Sequence, residues 1–124
     1  NQLAFVAAKA GLEFMLKENV EQQAKDSGEI IKNFIEKEIL PLDSRLEYRG
    51  IGMIWGIEFE KIPVANFSKL VTAKAFENRL IIECAGRKDS VVKIMPPLVI
   101  EKEVLLEGLT KLKKAIAESL AEIK

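Results

Sequence analysis

Few side chains in this sequence could do chemistry, and their spacing narrows the choice further. There is one cysteine, Cys84, and no histidine. The commonest general base and transition-metal ligand is therefore missing, and Cys84 lacks the usual proton acceptor of a thiol nucleophile. Arg87 and Lys88 stand close enough in sequence to stabilise a thiolate, but a cysteine at the end of Leu80-Ile81-Ile82-Glu83-Cys84 reads first as strand packing. Lys93 interrupts the run Val91-Val92-Lys93-Ile94-Met95 just before Pro96-Pro97. Two readings stay open for it on residue type alone: the solvent face of a half-covered strand, or a cation that pairs with a substrate carboxylate at the end of a sheet. Glu58, Glu60 and Glu83 are not spaced as an acid/base pair and read as solvated strand positions. Gly50, Gly52 and Gly56 lie within or lead into a strand rather than opening a helix, so they do not make a phosphate loop. No constellation here could run a reaction unaided.

Composition bounds the class. A chain of 124 residues can bury a core of its own as one domain. Nineteen basic and nineteen acidic residues cancel, which argues against a nucleic-acid surface or an anionic membrane as partner. No apolar run approaches the roughly 20 residues that span a bilayer. A single cysteine excludes an internal disulfide and fits a reducing compartment, so the expectation is a cytoplasmic protein.

The elements that position these residues follow from periodicity. Leu3, Val6, Ala7, Ala10 and Phe14 recur at helical spacing, and small residues along this stretch would allow a close neighbour. Asn19 with Gln22 three residues on resembles a capping box, opening a second helix from Val20 to Ile39 that Pro41 stops. Met53, Trp55, Ile57 and Phe59 alternate as one strand with a covered face, its glycines marking a bend, a bulge or a close approach. A third helix, capped by Asn66 or Ser68, runs to about Asn78. Leu80–Cys84 and Val91–Met95 then form an antiparallel hairpin across a turn at residues 85–90. The last helix, from about Glu101 to Ile123, buries Leu105, Leu109, Leu112, Ile116 and Leu120, and Gly108 within it suggests a packing constraint. The fold class expected is α+β, a small antiparallel sheet of about three strands covered by helices. The first helix has no obvious place in it, and the opening Asn1-Gln2-Leu3 lacks an initiator methionine, so a piece of a longer chain is expected.

Three stretches carry a family resemblance. Asn1-Gln2-Leu3-Ala4 resembles the end of a G-N-x-L-A segment, Arg49 to Glu58 resembles an R-G-x-G-L-x-x-G-I-E strand, and Val92 to Ile100 resembles V-x-R-x-x-P-P-L-x-I. In this order and spacing they are similar to the C-terminal part of class III aminotransferases, pyridoxal-phosphate enzymes of fold type I. Ala4-Phe5-Val6, the stretch Ala75 to Glu83 and Lys93 are most similar to the diaminobutyrate–2-oxoglutarate members. The resemblance implies that residues 1–18 are a helix leaving a large domain and residues 19–124 the small domain that closes over the active site at a homodimer interface. It implies that the full-length enzyme, with pyridoxal 5'-phosphate, transfers an amino group from glutamate to a small semialdehyde, aspartate semialdehyde giving 2,4-diaminobutyrate. The Schiff-base lysine and the cofactor's other ligands lie upstream in the family. No catalytic or cofactor-binding residue is therefore expected in this chain, and alone it is expected to be inactive and to bind no cofactor. Lys93 occupies the position where many relatives carry an arginine that grips the substrate α-carboxylate, so it is the expected substrate-binding residue, without arginine's bidentate fork. Arg79 stands where relatives often place glycine, and Asn78 is expected to take the left-handed cap instead. The rival expectation is a stand-alone α+β module that binds a small ligand or a partner and catalyses nothing.

Overall fold

The computed structural model describes residues 1–123. In chain order the main elements are helices α1 (Gln2–Lys17) and α2 (Val20–Phe34), strands β1 (Glu47–Ile51) and β2 (Ile54–Glu58), helix α3 (Phe67–Glu77), strands β3 (Glu83–Ala85) and β4 (Val91–Ile94), and helix α4 (Lys102–Glu122). The fold is α+β, with one antiparallel sheet in the order β1-β2-β4-β3. The sheet has four strands where the sequence pattern suggested three. The stretch expected as one long strand folds back at Gly52-Met53, pairing Ile51 with Ile54. Gly52 holds a positive φ of 54°, and glycine at the first position of a two-residue hairpin turn supplies that conformation without a Cβ clash. The Trp55 indole Nε1 donates to the Gly52 carbonyl at 2.7 Å, and its ring stacks on Tyr48.

One face of the sheet meets the helices. Trp55 and Ile57 of β2 and Val92 and Ile94 of β4 join Ile31, Ile35 and Ile39, Val71, and Leu105, Leu109, Leu112, Ile116 and Leu120 in a single core. The close packing has a visible cause at Gly28 of α2. A Cβ there would stand 2.5 Å from the Gly52 carbonyl oxygen, so the helix can lie against the hairpin turn only without a side chain.

Several local expectations are corrected. Asn19 does not cap α2 with its side chain. It adopts the left-handed conformation at φ 51°, which asparagine tolerates better than most residues, while the Gln22 side chain turns to Asp26. The α-helical part of the second helix ends at Phe34, and residues Ile35–Ile39 widen into a π turn ahead of Pro41. At the end of α3 the left-handed residue is Arg79 (φ 60°), not Asn78 (φ −82°). The bonds Leu80 N–H to Ala75 O and Arg79 N–H to Phe76 O are the two of a Schellman motif. Packing does not require glycine at 108, since a Cβ there would meet only Leu80 Cδ1 at an ordinary 3.9 Å.

Helix α1 stands apart. Asn1 caps it, with its side-chain Oδ1 accepting from the Leu3 and Ala4 amides, yet it has no buried residue. Leu3, Phe5, Val6, Leu12, Phe14 and Leu16 are all at least half exposed. Among the described residues no helix is long and apolar enough to cross a membrane.

Candidate functional site

Alternation along the strands sends Ile57, Val92 and Cys84 to the covered face, and sends Arg49, Gly56, Lys93 and Glu83 to the other. The register sets these last four in one row across all four strands: Arg49 opposite Gly56, Gly56 opposite Lys93, Lys93 opposite Glu83. Gly56 puts no side chain between the two cations, and a Val91 methyl fills the space instead. Glycine is held there by packing, because a Cβ would come within 2.8 Å of Val91 Cγ1.

Each cation has a carboxylate. Lys93 Nζ lies 3.1 Å from Glu83 Oε2, with the two side chains 32% and 73% exposed. Arg49 donates to Glu58 Oε2 at 3.2 Å. Glu58 is nearly buried, and two opposing effects act on it. Burial pushes its pKa up, but hydrogen bonds from Ser90, Arg49 and the Glu60 amide outweigh burial and leave the carboxyl below its ordinary value. Beside the Lys93–Glu83 pair, between the β3 edge and α4, runs a groove of about 450 Å³. Leu80, Ile82, Ile94 and Leu109 are among its apolar lining, and Lys93 and Glu83 both line it. An open groove with an apolar wall and a few convergent charges is the ordinary form of a small-ligand site.

The other sequence candidates fall elsewhere. Cys84 is half-buried on the covered side of β3 with Thr72 Oγ1 at 3.8 Å from its sulfur, in keeping with a packing role. Glu60 gives its backbone amide, rather than its carboxyl, to Glu58. Glu83 is solvated, as its position suggests, but it also pairs with Lys93, whereas Glu58, expected to be solvated, is buried. The signal for the pairing lay in the register of the β3–β4 hairpin, and a one-residue error in the turn hides it. Among the described residues no group of metal-ligating side chains comes together. Every buried side-chain nitrogen and oxygen described has a hydrogen-bond partner, and the glycine-rich stretch opens a hairpin instead of a helix.

The antiparallel sheet thus carries helices on one face and a row of charged side chains on the other. Comparison with known proteins supplies the family. The model of the family "Aminotransferase class-III" matches residues 1–116. A diaminobutyrate–2-oxoglutarate transaminase of Wolinella succinogenes is 41% identical over 123 residues, covering 98% of this chain and 28% of that protein. A diaminobutyrate–2-oxoglutarate transaminase of Streptomyces anulatus is 36% identical over 120 residues, covering 96% and 28%. The crystal structure of acetylornithine aminotransferase from Elizabethkingia anophelis superposes with a TM-score of 0.78 at 25% identity, over 90% of this chain and 28% of that one. This chain belongs to the class III aminotransferase family. It spans about 28% of the length of the curated relatives it matches.

Proposed function

We propose that this chain is the C-terminal part of a pyridoxal-phosphate aminotransferase that moves an amino group from glutamate to a small semialdehyde, aspartate semialdehyde giving 2,4-diaminobutyrate. The observation that carries this is the 41% identity along nearly the whole chain to a diaminobutyrate–2-oxoglutarate transaminase. Residues 1–18 would be the helix leaving the large domain, and residues 19–124 the small domain. The uncovered apolar side of α1 supports that division, since it calls for a neighbour. The large domain of the same polypeptide, and a second subunit in a cytoplasmic homodimer, would then complete the active site. Pyridoxal phosphate, when bound, supplies the electron sink for amino transfer. Its ligands are assigned to the rest of the enzyme, and residues 1–124 alone are expected to be inactive.

The part of this chain is to bind and orient carboxylates. Lys93 presents a half-exposed ammonium on the open face beside Gly56. An ammonium is a point charge, so it fixes the position of a carboxylate less tightly than a guanidinium fork would. In the full-length enzyme Lys93→Ala is expected to raise KM for glutamate and for the semialdehyde roughly tenfold, the loss of one charge-assisted hydrogen bond. Unchanged KM for both substrates would remove Lys93 from the site.

A further inference from the structure

We propose that Lys93 and Glu83 act as one unit, a clamp for the α-ammonium and α-carboxylate of an amino-acid substrate that reacts at its other end. This rests on the reading that Lys93 faces the substrate. The pair sits in register on adjacent strands with its charges 3.1 Å apart. Neither partner is used up. An ammonium has three donors and a carboxylate has several acceptor sites, and a single contact joins them. Glu83 is 73% exposed, so its free oxygen is open to a ligand.

The chemistry follows from charge matching. The two ionic groups of an α-amino acid are attached to one carbon, so their opposite charges lie side by side. Set head to tail against the Lys93–Glu83 pair, each charge meets its opposite. A lone lysine would draw any carboxylate, and a dianion most of all. A lysine already paired with glutamate is neutral as a unit and favours a zwitterion over a bare carboxylate. The groove beside the pair has about 450 Å³ for the chain that carries the reacting carbon away from the clamp. Glu83 is thus a specificity-determining residue. It distinguishes an amino-acid semialdehyde from the same semialdehyde without its amino group.

The test compares two acceptors in the full-length enzyme with glutamate as donor: aspartate semialdehyde and its desamino analogue, succinic semialdehyde. The ratio of their kcat/KM values is the readout. Glu83→Gln is expected to lower the preference for the amino acid about tenfold, the size of one lost charged contact, and Glu83→Asp to restore part of it. An equal loss with both acceptors would mark a merely structural effect and overturn the clamp, as would an unchanged ratio. Lys93→Ala, measured alongside, separates the two readings. If it raises KM while Glu83→Gln leaves the ratio alone, the carboxylate site survives and the clamp does not. If it leaves KM unchanged, both fall.

Discussion

Ile57 and Ile54 are the same residue type on the same strand, three positions apart, and they lie on opposite faces of the sheet. Ile57 is fully buried under the helices and Ile54 is 56% exposed. A similar contrast holds across much of the sheet, although Glu58 and Val91 on the open face are buried as well. The covered face is continuous hydrocarbon from Trp55 to Ile94, whereas the open face carries Arg49, Lys93, Glu83 and a glycine that packing keeps without a side chain. Strand alternation builds both faces at once, so the side that makes the core also sets the register of the charges on the other. The core and the charged row are separate features, but one register fixes both.

The largest expected effect lies on the covered face. Ile57→Ala deletes packed methyl and methylene groups in the middle of the core and should cost about 2–5 kcal/mol. Chemical denaturation of the 124-residue chain would read it as a lower midpoint at unchanged slope. A loss below 1 kcal/mol would mean that this face is not the core.

A smaller effect separates Glu58 from the other carboxylates of the open face. Its pKa is below the ordinary value in the folded chain. The unfolded state therefore binds more protons in the window between the folded and the ordinary value, and stability rises with pH there. The contribution is complete above the unfolded carboxylate range and is lost as pH falls through the depressed folded value. Glu58→Gln should cost about 1 kcal/mol at neutral pH and flatten the acid limb of Tm against pH. A variant whose acid limb matches the parent's would assign that limb to other carboxylates.

The sequence disclosed the covered face better than the open one. The leucine and isoleucine steps of α4 and the alternation of Met53, Trp55, Ile57 and Phe59 are hydrophobic signals, and burial is what produces them. The hairpin between β1 and β2 was hidden because the alternation continues through the turn: Met53 is itself buried, so nothing apolar is interrupted at Gly52. The Lys93–Glu83 pairing was hidden for a subtler reason. With residues 85–90 as the turn, Cys84 would face Val91 and Lys93 would face Ile82. Ala85 instead belongs to β3 and pairs with Val91, which moves the partner of Lys93 to Glu83. A single residue of loop length decides whether the lysine meets a carboxylate or an alkyl chain. Arg79 in the left-handed position was missed because asparagine is the better left-handed residue. The Schellman bonds place that conformation one residue later, and no propensity argument locates a bond.

The smallest effect sharpens the comparison most. In the 124-residue chain Ile54→Ala should change stability by no more than about 0.5 kcal/mol, as surface substitutions do, against the several kcal/mol expected at Ile57. The same substitution in the full-length enzyme asks a different question. A large domain lying over the open face would bury Ile54, and the cost there would rise toward the 2–5 kcal/mol of a buried isoleucine. Parallel denaturation of the chain and the full-length enzyme gives the difference directly. A cost that appears only in the longer protein identifies the open face as the surface that closes against the rest of the enzyme. Equal small costs in both would leave Ile54 in solvent, and the closing surface would have to lie elsewhere, with the exposed leucines and phenylalanines of α1 the next to be substituted.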